Sequence, residues 1–211
     1  TKNMFQIFPK KAAESLIEVI IAVFVVSLGS SVATSLVVTS IQSNSFSRDN
    51  LIALNLATEG LEAMRNIRDN NWLRFSFDKG KCWNISPETT DCSTGKIISS
   101  GNYTVSLDKG YAWILKKIGD GKTLNLDTMS GNDDFKLQLE ERDKQNVYVQ
   151  VSSSGLKVTP TNFYRMVTVS YSYPGIDKMD TTSTIQWLFQ GKKHEIRLNE
   201  TLTNYQKGKD I

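Results

Sequence analysis

The length and charge of the chain exclude several classes of protein. Its 211 residues suffice for one domain of ordinary size with an extension, and 39% of them are hydrophobic, which is typical of a largely globular chain. The formal charge of +3 comes entirely from residues 1–13, which hold three lysines and no acid, while the rest of the chain carries 22 basic and 22 acidic side chains. A basic tip on a neutral chain argues against a nucleic-acid-binding surface, so no specific nucleic acid is predicted as a partner.

An uncharged apolar stretch runs from Val19 to Val38, just after the basic tip. Its 20 residues, at about 1.5 Å per residue in a helix, can cross the hydrocarbon core of a bilayer, which is roughly 30 Å thick. Lysines before the stretch, with no charge after it until Arg48, predict a single span with the N-terminus inside and the C-terminus outside. A secretory signal peptide would have a shorter apolar region. A buried core helix fits poorly, because the stretch lies too near the chain end to be wrapped by a domain.

One charged residue, Glu18, stands at the start of the apolar stretch among apolar neighbours. A carboxylate at membrane depth is costly unless it is paired, so such a residue is a functional candidate by default. The alternative is a position at the membrane interface, from which the side chain reaches water.

The sequence around Glu18 resembles the prepilin signature of type IV pilins, with basic residues, a small residue and then Ser15-Leu16-Ile17-Glu18-Val19 before an apolar helix. The resemblance implies that a prepilin peptidase cuts between Ala13 and Glu14, which makes Glu18 the fifth residue of the mature chain. It also implies that Glu18 neutralises the N-terminal amine of a neighbouring subunit in a filament, because buried opposite charges need each other. At the junction this chain departs from the family pattern, in which Gly usually precedes the cut and Phe or Met follows it.

The helix is predicted to continue past the membrane and to span residues 14–74. No proline occurs between Pro9 and Pro87, so none interrupts it. Residues 48–73 interleave charged side chains with an apolar series at spacings of three and four, namely Leu54, Ala57, Leu61, Met64 and Ile67. One face of this amphipathic half is predicted to pack against a soluble head. Residues 57–73 also resemble minor pilins of small-genome bacteria.

Residues 75–200 alternate short β-rich runs with turn residues. Seven strands are predicted, at Tyr103–Leu107, Tyr111–Leu115, Phe135–Leu139, Val147–Val151, Tyr164–Tyr171, Thr184–Phe189 and Glu195–Leu198. Hairpin-length connections predict an antiparallel sheet packed against the amphipathic helix, and residues 201–211 are predicted to be a polar, frayed tail. The predicted fold class is therefore α+β and pilin-like, with the helix first and a β-rich extracytoplasmic head after it.

Two cysteines, Cys82 and Cys92, enclose nine residues of a loop that contains Pro and Asp. In an extracytoplasmic head, cysteines this close are predicted to form a disulfide. A metal site is a weaker alternative, because two thiolates without a nearby His or further Cys make a poor zinc site. Two free thiols are the remaining alternative.

Chemical motifs are scarce, and the sequence predicts no enzyme activity, cofactor or metal. It contains no phosphate-binding loop, no nucleophile motif and no metal-binding pair on a helix. His194, beside a predicted turn, is interpreted as a solvated side chain. Asn132, Asp133 and Asp134 resemble a calcium loop only in part, because the regular ligand spacing and the closing Glu are absent.

Two classes of function fit these features. The first is a structural subunit of a type IV pilus-like filament, held in the inner membrane before assembly and at the cell surface afterwards, or a pseudopilin of a type II secretion system. The second is a single-pass anchored binding or enzymatic domain that does not polymerise. A free secreted domain is a third hypothesis, and its mature chain would begin after residue 38.

Overall fold

The computed structural model describes residues 11–119, 121–127, 131–150, 156–172 and 177–206, with side chains from residue 16 onward. Its elements in chain order are α1 (Lys11–Arg74), α2 (Lys79–Cys82), β1 (Gly101–Leu107), β2 (Trp113–Lys117), a 3-10 turn (Asp133–Phe135), β3 (Lys136–Arg142), β4 (Gln145–Val149), β5 (Val158–Tyr171), β6 (Lys178–Phe189) and β7 (Lys192–Thr203). The chain divides into an N-terminal unit, Thr1–Asp49, and a C-terminal unit, Asn50–Ile211. Helix α1 contributes to both units, and each is described by itself.

In the C-terminal unit, α1 buries one face between Ala53 and Trp72. Four members of the predicted apolar series are confirmed as core residues, namely Ala57, Leu61, Met64 and Ile67. The prediction is wrong for Leu54, which is 39% exposed, and Leu56 takes the core position instead. At about 100° per residue, Leu54 lies roughly 200° around the helix from Leu56, so the two side chains face in nearly opposite directions.

The strands of the described residues form one antiparallel sheet in which β5 is central. One side of β5 pairs with β6 from Phe163 to Tyr171, and β6 in turn pairs with β7 along its whole length. The other side of β5 is shared, because β1 pairs with Val167–Val169 while β3 pairs with residues 158–164. The hairpins β1–β2 and β3–β4 therefore lie one after the other along the same edge of β5.

The predicted α+β class, with a long N-terminal helix and an antiparallel sheet, is confirmed, and each predicted strand has a counterpart in the sheet. The predicted start of β2 at Tyr111 is wrong, because Tyr111 has a φ of +60° in the preceding turn and the strand begins at Trp113. The predicted tail is also wrong at its start, because β7 runs to Thr203 and Leu202 is buried. Val151 and residues 207–211 lie outside the described residues.

Both faces of the sheet carry apolar cores. On one face, Met64 and Ile67 of α1 pack with Val105, Val167 and Met179. On the other face, the segment between β2 and β3 contributes Ile118, Leu124 and Phe135, which pack with Tyr164 and Met166. The C-terminal unit thus has three layers, with α1 on one side of the sheet and an irregular segment on the other.

Candidate membrane-spanning and assembly segment

The described part of the N-terminal unit is helical and, between Leu16 and Ile41, exposes mainly apolar side chains, with Glu18 as its one charged residue. Among the described residues, α1 alone is long and apolar enough to cross a membrane, and none of its most apolar 18-residue window is buried. The exposed apolar side chains are Leu16, Ile17, Val19, Ile20, Ile21, Val23, Phe24, Val25, Val26, Leu28, Val32, Leu36, Val37, Val38 and Ile41. A core helix would be buried, so this surface fits lipid or other apolar helices instead.

Five hydroxyl side chains within this segment are hydrogen-bonded to the helix itself. Each donates to a carbonyl three or four residues earlier: Ser27 to Phe24 (2.8 Å), Ser30 to Ser27 (3.0 Å), Ser31 to Ser27 (2.9 Å), Thr34 to Ser30 (2.8 Å) and Thr39 to Ser35 (2.9 Å). A hydroxyl with a backbone acceptor in its own helix needs no water. These residues therefore do not oppose the transfer of the segment into an apolar environment.

Glu18 lies on the same helix, with its side chain exposed between the exposed Ile17 and Val19. No salt bridge joins it to another residue of the described part of the chain. If lipid or neighbouring helices cover this surface, the carboxylate needs a cation or a donor from beyond the described residues. Ala13 and Glu14, between which cleavage is expected, belong to helix α1. Their side chains lie outside the part of the chain that the structure describes.

The predicted disulfide between Cys82 and Cys92 is present, and it removes the alternatives of a zinc site and of free thiols. Its two Cα atoms are 5.6 Å apart. Cys82, which is 1% exposed, packs with Phe75 and Ile85 in a small core of its own. The bridge therefore fastens the segment that follows α1 to the loop that leads to β1.

An ion pair between the buried Arg165 of β5 and the partly exposed Glu59 of α1 was not predicted from the sequence. Arg165 is 0% exposed, and its Nη1 lies 3.0 Å from the Glu59 carboxylate. The same guanidinium donates to the carbonyls of Leu56 (3.3 Å) and Val105 (2.7 Å). One sequence feature could have revealed this pair. Arg165 lies between Phe163 and Val167 at an inward-facing position of a strand whose residues alternate in burial, and an unpaired charge there would be costly.

A second buried pair, Glu140 with Arg142, was also missed. The Arg142 Nε donates to the Glu140 carboxylate at 2.6 Å, and both side chains are almost fully buried. Arg142 also donates to the carbonyls of Leu107 (2.9 Å) and Asp108. This pair holds the turn between β1 and β2 against β3, which is a structural role.

The interpretation of His194 as solvated is wrong. Its ring is half-buried and stacks on Trp187, with ring centroids 5.5 Å apart, and it meets the edge of Phe189 at 6.3 Å. The aromatic neighbours give His194 a packing role on β7.

The acidic segment at Asn132 makes contacts within the protein. The Asn132 side chain accepts from the Asn125 N–H (3.1 Å) and donates to its carbonyl (2.9 Å). Lys122 lies 2.8 Å from Asp134 and holds the pKa of that carboxyl below its usual value. Within the described ranges, no group of three or more His, Cys, Asp or Glu side chains could hold a metal ion.

Comparison with known proteins gives no match, whether to a family model, to a curated protein or to a solved structure. The features of this chain that point to a function are therefore the apolar helix, Glu18 and the fold of the C-terminal unit.

Proposed function

We propose that this chain is a structural subunit of a type IV pilus-like filament and that it assembles through the N-terminal part of α1. The observation that carries the proposal is the apolar surface between Leu16 and Ile41, which no part of the described chain covers. The helix bearing it continues without a break to Arg74, within a C-terminal unit that has its own core. Such a chain needs lipid before assembly and apolar neighbours after it.

Glu18 is the proposed assembly residue. A lone carboxylate would favour neither lipid nor a bundle of apolar helices, whereas an ion pair with a neighbouring subunit's N-terminal amine offsets its burial only in the assembled state. Cleavage between Ala13 and Glu14 by a prepilin peptidase would create that amine four residues before Glu18. The subunit would then reside in the inner membrane, with its C-terminal unit outside, until it enters a pilus at the cell surface.

The test is Glu18→Ala in cells that express the full chain. We expect the variant to fold and insert into the membrane at the normal level but to yield no filaments by electron microscopy of sheared material, with peptides identified by mass spectrometry. Glu62→Ala is the matched control, because it removes an exposed carboxylate farther along the same helix (54% exposed). It should leave filaments unchanged.

Normal filament abundance from Glu18→Ala would contradict the proposal. A wild-type protein that stays in the membrane and never enters filaments would favour the anchored, non-polymerising domain instead. The mature N-terminus is tested separately by intact-mass measurement, where removal of residues 1–13 is expected and an uncut chain would contradict the cleavage step.

A further inference from the structure

We infer that a second copy of this chain binds along the open edge of β7, so that the sheets of the two copies join into one antiparallel sheet. Strand β7 (Lys192–Thr203) pairs with β6 on one side, and no described strand pairs with its other side. The N–H and C=O groups on that side are a template for a further strand. The contact involves the C-terminal unit and does not require that the chain form filaments.

The open edge of β7 is long and regular. The strand has 12 residues, whereas the other end strands of the sheet, β2 and β4, have five each. All of β7 pairs with β6 in a single register, without a bulge that would turn the edge away from a partner. The strand contains no proline, which would remove a donor from the edge. The backbone of β7 is therefore able to accept another strand.

The charges on β7 decide which strand it accepts. Charged side chains on an edge strand usually oppose the addition of another strand. On β7, however, residues of opposite charge are placed symmetrically about Ile196, namely Glu195 with Arg197 and Lys192 with Glu200. Two copies that pair antiparallel with Ile196 opposite Ile196 therefore set each of these residues opposite its counterpart in the other copy. Opposite charges that face each other across two strands stabilise the pairing.

Other symmetric pairings of β7 with itself lack this complementarity, and each has a different residue opposite its own copy. Three such centres set two like charges against each other, namely Glu195, Arg197 and Glu200. Two centres bring no charges together, namely Leu198 and Asn199. A centre at His194 or before it, or beyond Glu200, leaves five residues or fewer to overlap. The Ile196 centre overlaps residues 192–200, and it is the one long symmetric pairing in which opposite charges meet.

The helix-bearing face of β7 also suits this pairing. Ile196 and Leu198 are half-buried on the same face as Glu200, which binds Arg65 of α1. In the Ile196 register, Leu198 of each copy lies opposite His194 of the other, so that apolar and aromatic side chains cover one another. Because α1 lies over β6, three strand spacings separate the two helices. That separation is about 14 Å, which exceeds the roughly 8–10 Å between packed helices, so the helices do not collide.

The symmetry of the pairing restricts where it can form. Its two-fold axis is perpendicular to the sheet, so helix α1 of one copy runs opposite to α1 of the other across the joined face. Neighbouring subunits of one helical filament are related head to tail and all point the same way. If the chain is a filament subunit, as proposed above, β7 therefore joins subunits of two filaments that lie side by side with opposite polarity. This last step alone rests on the proposed function.

A cysteine at the centre of the pairing tests it, because residues directly opposite in antiparallel strands have Cα atoms about 4.5–5.5 Å apart, within the reach of a disulfide. The full chain in detergent micelles, with its Cys82–Cys92 disulfide intact, is oxidised with copper phenanthroline and examined by non-reducing gel and intact mass. Ile196→Cys should give a disulfide-linked dimer. Leu198→Cys is the matched control, because it is half-buried on the same face. Its two copies would lie about 14 Å apart, so it should stay monomeric.

Charge reversal in the Ile196→Cys background separates specific pairing from random collision. Arg197→Glu places four carboxylates at the centre of the contact and should lower the cross-linked fraction by about tenfold. Glu195→Arg/Arg197→Glu restores opposite charges across the two strands and should recover the dimer. Lys96→Glu makes the same change in net charge at an exposed position before β1, and it should leave the cross-linked fraction unchanged.

A folded Ile196→Cys protein without a dimer would overturn the inference, and so would an equal yield from Leu198→Cys or a yield insensitive to Arg197→Glu. If Ile196→Cys fails to fold, a spin label on Asn199→Cys replaces it, because Asn199 is exposed. Its two labels are expected about 20 Å apart, since each lies six residues from the position opposite the other. The absence of a distance between copies would then overturn the inference. None of these measurements requires filaments, so the filament proposal can fail separately.

Discussion

Gly60 of α1 lies directly against Ser183 of β6, and a Cβ placed on Gly60 would stand 2.4 Å from the Ser183 Oγ and 3.2 Å from its Cβ. The contact brings the helix backbone close to the strand, with the small Ser183 side chain between them. Gly is costly inside a helix, so its presence here reflects the packing of the layers and not the preference of the helix.

Gly60→Ala should therefore destabilise the protein, although Ala is the better helix former by about 1 kcal/mol. Overpacking of this kind typically costs about 1–3 kcal/mol, which exceeds the gain in helix propensity over most of that range. The measurement is denaturant unfolding of the full chain in detergent micelles, followed by the fluorescence of its buried tryptophans.

Gly119→Ala is the matched control for Gly60→Ala, because a Cβ on Gly119 meets nothing within 4 Å. It should change the unfolding free energy by less than about 0.5 kcal/mol. Ser183→Gly in the Gly60→Ala background should recover part of the loss, because it removes both clashing atoms. A Gly60→Ala protein as stable as the unmodified chain would show that the layers can separate at little cost.

Removal of the disulfide should also weaken the C-terminal unit. Cys82→Ala/Cys92→Ala is expected to lower the unfolding free energy by about 2–4 kcal/mol, chiefly because the unfolded chain regains the freedom of the closed loop. The same unfolding measurement, made with and without a reductant, checks this. The reductant should weaken the unmodified chain and leave the double variant unchanged, and equal sensitivity of the two proteins would contradict the prediction.

Features set by neighbouring residues were predictable from the sequence. The uncharged stretch, the proline-free helix and the cysteine pair are local signals, and so are most of the strands. Leu54 shows the limit of such signals, because its spacing from Ala57 fits the helical repeat while the docked face is centred elsewhere. Only the partner surface decides where around the helix that face lies.

Contacts between distant residues were not predictable. Glu59 and Arg165 are 106 residues apart, and no local pattern pairs them. On β3, the register of pairing shifts between Lys136 and Gln138, after which Glu140 becomes the inward residue. A strict alternation of apolar and polar residues fails at such an irregularity, because the side chains after it change faces.

Two hairpin turns of the C-terminal unit each allow a substitution that should change stability, one upward and the other downward. Asp143 and Lys144 connect β3 to β4 with φ values of +47° and +65°, and Gln190 and Gly191 connect β6 to β7 with +51° and +74°. Two residues with positive φ define the tight turn that favours Gly at its second position. Only the second of these turns has that Gly.

Lys144→Gly should stabilise the protein by about 0.5–1 kcal/mol, because Gly adopts a positive φ without the steric cost that a side chain adds. Gly191→Ala should destabilise it by a similar amount for the same reason, although a Cβ there meets no other atom within 4 Å. Thermal unfolding of both variants beside the unmodified chain is the measurement. Shifts of the midpoint in the same direction would contradict the argument.

Asp180 of β6 predicts a dependence of stability on pH. Its carboxylate accepts hydrogen bonds from Ser172 Oγ and Thr201 Oγ1, both at 2.5 Å, and these bonds hold the pKa of Asp180 below its usual value. Since the folded pKa lies below that of the unfolded chain, the ionised group contributes stability above the unfolded pKa, which is about 3.9. That contribution is lost as the pH falls through the folded pKa.

Asp180→Asn should therefore reduce the stability at pH 7 and flatten its decline between about pH 5 and pH 2, because the variant has no proton to take up at this site. Urea unfolding at several pH values, with Asp133→Asn as a control for the loss of one exposed carboxylate, makes the comparison. The unfolding free energy of the control should fall with decreasing pH as that of the unmodified chain does. If Asp180→Asn declined just as steeply, the acid sensitivity would arise from other carboxylates, and the bonds from Ser172 and Thr201 would contribute no net preference for the ionised form.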